Sequence, residues 1–287
     1  MSPSQGDDEG HALSAASSLS DVSEAEREMI EAQSRPNAAL IHETIRAEGE
    51  NELERPTGAL LLSGLAAGLA MGFSLIAEGL LRSHLPEAPW RDLVSKLGYT
   101  VGFVIVVLGR QQLFTENTLT PVLTLLYNGN GATLARVARL WGLVLAANLA
   151  GSWGISAVLA LSDLFPDEVR GAFAAISRHA VEAPFGTTVI KGVFAGWLIA
   201  LMVWLMPAAG ESRTAVIVLL TWLVSVAGFA HVVAGSVDAS FLVWTGEAGA
   251  ADYLGRFLVP TLAGNVFGGV ALVALLNYGQ VAAEVKE

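Results

Sequence analysis

The residue best suited to proton chemistry is His231, in Gly228-Phe229-Ala230-His231, because it lies inside an otherwise apolar run from Thr214 to Thr245. An unperturbed imidazole titrates at about pH 6.5, and an ionisable group at membrane depth usually faces a cavity or a partner rather than lipid. A second polar stretch, Gly109–Thr120 (GRQQLFTENTLT), separates the apolar runs Leu97–Leu108 and Leu119–Leu126. Its Arg110, Gln111, Gln112, Thr115, Glu116, Asn117 and Thr118 are too polar to face lipid. The flanking runs are about 10–14 residues long, whereas a spanning helix needs about 20. Both stretches therefore read as breaks in membrane helices, whose freed backbone groups must be received by protein or by a wet cavity. Two broken helices in corresponding positions of two halves point to a transport site. For His231 itself the competing reading, a hydrogen-bonded packing residue, stays open at this level.

The composition demands a membrane setting for these elements. Hydrophobic residues make up 53% of the 287-residue chain and charged residues 15%, with a mean hydropathy of +0.54, an apolar excess beyond the needs of a soluble domain of this length. The formal charge of −11 is concentrated in residues 1–55, which hold 13 acidic and 4 basic side chains. The acidity thus belongs to a tail. There is no cysteine, which excludes disulfides, thiolate metal sites and cysteine catalysis. The five histidines are scattered, no phosphate-cradling glycine motif occurs, and no cofactor, metal or nucleic acid is expected. The polar, acidic N-terminus does not resemble a secretory signal.

Residues 1–34 read as disordered, with transient helix around Ser23–Gln33, and 1–37 as an acidic tail. Residues 38–55 carry Leu40, Ile41, Ile45 and Leu53 loosely on one face. They read as an amphipathic helix on the membrane surface or under the bundle, with a solvated linker as the competing reading. Six apolar segments follow over 56–279: Thr57–Leu81, Asp92–Tyr127, Leu134–Leu161, Val181–Met206, Thr214–Thr245 and Phe257–Tyr278, with a polar loop at Ser162–Arg178 and a short tail at 280–287. Trp90, Trp141, Trp204, Trp244, Tyr253 and Tyr278 near segment ends suit interfacial anchoring.

The halves 57–162 and 180–279 repeat one pattern. Segments one and four carry glycines four apart (Gly64, Gly68, Gly72; Gly192, Gly196), which allow close helix approach. Segments two and five are broken. Segments three and six carry Asn148 and Asn265 between small residues, where they are expected to tie the breaks to the bundle. Three spans per half make the repeat inverted. The fold class is therefore all-α integral membrane, with six transmembrane helices in a 3+3 inverted repeat and helices 2 and 5 broken. Basic residues flank the spans equally on both sides, so the positive-inside rule decides nothing. The acidic tail and absent signal favour both termini in the cytoplasm.

The chain resembles the formate/nitrite transporter family, in the YfdC-like branch of inner-membrane proteins. The resemblance rests on Leu113-Phe114-Thr115-Glu116-Asn117, Gly228-Phe229-Ala230-His231, Asn148-Leu149-Ala150-Gly151 and Gly264-Asn265-Val266-Phe267-Gly268. It implies an aquaporin-like protomer in a bacterial inner membrane, a homopentamer, and one pore per protomer. The permeant solutes would be small monovalent anions such as formate or nitrite, or their conjugate acids. It also implies proton exchange at His231, Thr115 on the pathway, and apolar constrictions at Tyr99 and Val224 on one side of the histidine and at Phe103 and Phe114 on the other. Leu113 and Asn117 complete the expected pathway. An anion pays heavily to enter low dielectric and a neutral weak acid far less, so two apolar slits around an imidazolium would pass the solute as its acid.

Ala230, Gly235 and Gly196 depart from the family pattern, where Glu, Asn and Asn are common. Arg110 reads either as a cationic attractor or as the partner of Glu116 or Asp238. Lys191 reads as an ion-pair member or as snorkelling to the interface, and Glu78 as interfacial. Three other readings remain: a pore for another, neutral solute; a transport-inactive scaffold; and an intramembrane enzyme built on His231, Ser236 and Asp238. The last is disfavoured because seven helical residues separate histidine and aspartate by about 10 Å.

Overall fold

The computed structural model describes residues 36–285. The tail expected to be disordered over 1–34 lies outside them. Among the described residues all regular structure is helical. Helix α1, Ala38–Glu54, buries Ile41, Ile45, Gly49 and Leu53, a four-residue spacing that puts one stripe along one face. That stripe meets the start of α5 (Thr120–Asn128), where a Cβ at Gly49 would run into the Thr120 carbonyl. The helix is docked, not solvated on all sides.

Four helical stretches are long and apolar enough to cross a membrane: α2 (Thr57–His84), α6 (Gly131–Leu161), Phe185–Ala208, whose α-helical part is α8 (Phe185–Leu205), and Ala250–Val281. The last belongs to α11, which runs through Ala250–Asp252, a π-helical Tyr253–Leu258, Val259–Gly269, a second π segment Val270–Leu275 and Leu276–Val285. It therefore extends through most of the expected tail at 280–287, because nothing in Asn277–Val285 breaks a helix. Two expected segments are each divided. One consists of α3 (Arg91–Ser95), α4 (Thr100–Leu108), a 3-10 turn at Glu116–Thr118 and α5, and the other of α9 (Arg213–Val226) and α10 (Ala234–Thr245).

The expected loop at Ser162–Arg178 is corrected by α7, Asp167–Glu182. Val169, Ala172 and Phe173 recur at helical spacing and are buried, and Asp167 and Glu168 suit the positive end of the helix dipole. Pro184, following Ala183 in extended conformation, ends it. Trp204 and Tyr253, expected as interfacial anchors, are buried within the chain.

Helix α2 packs along α6, and α8 along α11. A Cβ at Gly68 would collide with the Asn148 carbonyl, and one at Gly196 with the Asn265 carbonyl. Only glycine permits these helices to approach so closely.

Both divided helices stop the same way. Arg110 N–H donates to the Val107 carbonyl (3.1 Å) and Gln111 N–H to that of Val106 (3.0 Å), while Gly228 N–H donates to Ser225 (3.0 Å) and Phe229 N–H to Val224 (3.0 Å). These paired bonds are the Schellman motif, which needs a left-handed residue at its turn. That residue is Arg110 (φ 50°) in α4 and Gly228 (φ 64°) in α9.

Candidate functional site

The two asparagines hold the broken ends. Asn148 Oδ1 accepts from Phe114 N–H (2.9 Å), and its Nδ2 donates to the carbonyls of Gln112 (2.9 Å) and Gly64 (2.8 Å). Asn265 Oδ1 accepts from Val232 N–H (2.8 Å), and its Nδ2 donates to Ala230 (2.8 Å) and Gly192 (2.8 Å). One amide thus satisfies two backbone groups that each break would otherwise leave unpaired in a dry interior, and ties them to a carbonyl of the neighbouring helix. Within these tethers Leu113 takes the place that His231 takes in the second break.

His231 is 1% exposed and Thr115 is fully buried, and the two side chains join the breaks through a 2.7 Å contact between His231 Nε2 and Thr115 Oγ1. The other ring nitrogen, Nδ1, accepts from Ala234 N–H at 3.1 Å. A backbone N–H can only donate, so the neutral ring carries its proton on Nε2 and gives it to Thr115 Oγ1. The threonine hydroxyl proton is then left to point elsewhere. An imidazolium in this position would have to abandon the Ala234 bond.

Aromatic rings pack around this pair. The Phe103 ring stands edge-on to His231 with centroids 5.0 Å apart, and Tyr99 lies 5.2 Å from Phe103. Phe114 meets Trp141 edge-on at 5.7 Å, and Leu113, Phe114 and Val224 are buried in the main apolar core. Asn117 is buried, its Nδ2 donating to Gln112 Oε1 (3.0 Å) and its carbonyl accepting from Trp141 Nε1 (2.8 Å). Its side-chain amide is thereby held by the break itself.

A cavity of about 450 Å³ opens onto His231. Tyr99 lines it, as do Phe229 and Ala230 of the second break, and its charged groups are Glu78, Lys96, Glu182, Lys191 and Asp238. Glu78, expected at the interface, is 5% exposed and faces this chamber. The signal was available: Met71, Ser74, Leu75 and Glu78 share one buried helical face of α2. Lys191 also faces the chamber and forms no close ion pair among the described residues. Lys96 follows Arg91, Asp92 and Ser95, so its sequence context reads as the polar end of a segment rather than as a chamber wall.

Arg110 is placed elsewhere. Its side chain is 77% exposed and its close ion pair is with Glu48 of α1 at 3.1 Å, rather than with Glu116 or Asp238. The docking of α1, which no sequence spacing specified, brought Glu48 within reach. Glu52 binds the same break, accepting from Thr120 Oγ1 (2.5 Å) and Gln112 Nε2 (3.2 Å). Burial pushes the Glu52 carboxyl above its ordinary range, with the Thr120 and Gln112 bonds pulling the other way.

Comparison with known proteins gives these parts a common context. The sequence profile of the formate/nitrite transporter family matches residues 39–279. The inner membrane protein YfdC of Escherichia coli K12 is 43% identical over 245 residues, which is 85% of this chain and 79% of YfdC. The formate channel FocA of Haemophilus influenzae is 23% identical over 247 residues, 75% of this chain and 84% of FocA. The fold matches that of a pentameric formate channel solved with formate bound, at TM-score 0.67 and 21% identity over 79% of this chain and 98% of that one. It also matches an ion channel of the same family at TM-score 0.72 and 19% identity, over 84% and 98% of the respective chains. With paired helix breaks, a buried histidine between them and a family profile spanning α1 to α11, the chain is a member of the formate/nitrite transporter family, whose proteins are channels and transporters rather than enzymes.

Proposed function

We propose that the chain forms a homopentamer in a bacterial inner membrane, each protomer a six-helix inverted repeat with its own pore and both termini cytoplasmic. Each pore passes small monovalent anions such as formate or nitrite, crossing the apolar centre as their conjugate acids. The observation that carries this reading is the buried Thr115–His231 pair, which joins the two breaks at the inner end of a charged cavity. A bare anion pays a heavy desolvation cost between Phe103 and Val224, whereas its conjugate acid pays little. The pathway set is His231, Thr115, Phe114, Leu113, Phe103 and Tyr99, with Val224 and Asn117 behind them. Arg110 stands outside it, at the α1 side of the first break.

His231 exchanges a proton by letting Nδ1 leave Ala234 and take one from the solution side, while Nε2–H and the Thr115 hydroxyl guide the solute oxygen. The neutral tautomer also favours a second reading, in which the pore passes a small uncharged solute and His231 and Thr115 only offer hydrogen bonds.

Flux of formate and nitrite into liposomes at pH 5.5 and 7.5 tests the proposal, with His231→Ala, Thr115→Val and Thr115→Ser beside the parent. Flux is expected to rise at low pH, to fall at least tenfold in His231→Ala and Thr115→Val, and to recover in Thr115→Ser. Absence of flux for either solute in a folded, oligomeric parent would sink the anion reading and leave the uncharged solute.

A further inference from the structure

The cavity beside His231 holds four charged side chains with no assigned partner. Glu78 comes from α2, Lys96 from the turn after α3, Lys191 from α8 and Asp238 from α10. Among the described residues none of the four makes a side-chain hydrogen bond or a close ion pair. For Glu78, at 5% exposure, this is unusual, because buried carboxylates are normally hydrogen-bonded or paired. A carboxylate built into a dry helix face and left open toward a chamber is available to whatever enters.

We propose that Glu78 and Asp238 make this vestibule a charge switch that sets the pH at which anions enter. The inference rests on the anion-transport reading and goes beyond it by assigning entry selectivity to residues away from the Thr115–His231 pair. With both carboxylates ionised, they offset Lys96 and Lys191 and the chamber has no net attraction for an anion. With both protonated, the two lysines stand uncompensated, and their field is concentrated by the low-dielectric walls. The chamber then gathers anions in front of His231 under the acidic conditions that also supply the proton.

The surrounding groups leave this switch to Glu78 and Asp238. On α7, Glu182 is engaged by His179 at 3.1 Å and is partly exposed, apart from the two carboxylates. Arg82 and Asp92 both act on Glu78 electrostatically and pair with each other at 2.6 Å. Tyr99 and His231 complete the polar lining that faces the two carboxylates.

The test uses full-length protein in liposomes and in detergent, comparing the parent with Glu78→Gln, Asp238→Asn and the double variant. Initial nitrite uptake is followed at pH 5.5 and 7.5, and thermal stabilisation by nitrite is read in detergent at the same two pH values. In the double variant, uptake at pH 7.5 is expected to rise roughly tenfold toward the pH 5.5 rate, and stabilisation by nitrite to become equal at both pH values. Asp238→Asn alone, the less buried site, should move part of the way and covers the case in which Glu78→Gln does not fold. Unchanged pH dependence in folded variants overturns the charge switch while leaving transport at His231 intact. If the parent passes no nitrite, the transport reading fails by itself. The detergent measurement then still decides the switch: pH-independent stabilisation of the parent refutes it, and stabilisation confined to pH 5.5 and spread to 7.5 by Asp238→Asn supports it.

Discussion

The first and second helix breaks share one scaffold and carry different loads. Each begins with the same pair of turn bonds and is held by one asparagine making three backbone contacts. At the central position of that scaffold the first break has Leu113 and the second has His231. At its left-handed turn the first has Arg110 and the second Gly228. The first break is long and polar, and α1 is fastened to it through Glu48 and Glu52. The second is short, apolar apart from His231, and borders the charged vestibule. Backbone satisfaction is thus solved the same way twice, which leaves the side chains free to diverge: one break anchors α1, and the other presents the titratable group.

If the tethers are equivalent, they should fail equivalently. Asn148→Ala and Asn265→Ala each strand one carbonyl and one N–H of a break in the interior and remove a bond to the neighbouring helix. Each should cost about 2–4 kcal/mol, read as a lower unfolding midpoint and a reduced folded fraction in detergent. A large effect in one and none in the other would break the equivalence. Asn148→Asp or Asn265→Asp should be no rescue, since a carboxylate cannot donate to the two carbonyls.

The α1 attachment is the feature that distinguishes the first break, and its pH dependence follows from Glu52. Burial raises that carboxyl from its ordinary value of 4.5. The docked state therefore holds the proton more tightly than the undocked one, and its contribution is fully present below about pH 4.5 and declines as pH rises through the raised value. Hydrogen exchange in α1, corrected for intrinsic rates, should accelerate as pH rises above the ordinary carboxylate range, and Glu52→Gln should flatten the trend. Exchange in α10, at the second break, serves as the control and should not follow Glu52. An α1 equally protected within and above that range in the parent would contradict this coupling.

The smallest expected effect lies at the left-handed turn. Arg110→Gly relieves about 1 kcal/mol of backbone strain and loses an exposed ion pair worth a few tenths of a kcal/mol. A slight rise in unfolding temperature is expected, together with faster exchange at the exposed face of α1. A clear loss of stability would mean that Arg110 contributes more than the Glu48 pair.

Much of this comparison could be read along the chain. The breaks were visible because polar runs interrupt stretches that are otherwise apolar, and a bilayer tolerates such runs only inside protein. Asn148 and Asn265 stood out because a carboxamide among small apolar residues needs partners. The apolar face of α7 is present in the sequence at Val169, Ala172, Phe173 and Ile176, but Pro166 and the charges of Asp163, Asp167, Glu168 and Arg170 at its start give the segment the look of a loop. For Arg110, sequence proximity favours Glu116, whereas the close ion pair is made with Glu48, which arrives from more than sixty residues away.

By itself, the sequence determined the helical class, the apolar segments, the two interruptions, the glycine faces and the presence of an imidazole in one break. All of these follow from local hydropathy and from the cost of unpaired backbone in lipid. Only the tertiary structure decided that Thr115 meets His231, that Ala234 N–H holds Nδ1 and so settles the tautomer, and that α1 closes on the first break. It also decided that Glu78, Lys96, Lys191 and Asp238 share one chamber, because each comes from a different element and no periodicity within one helix records which neighbour it will face.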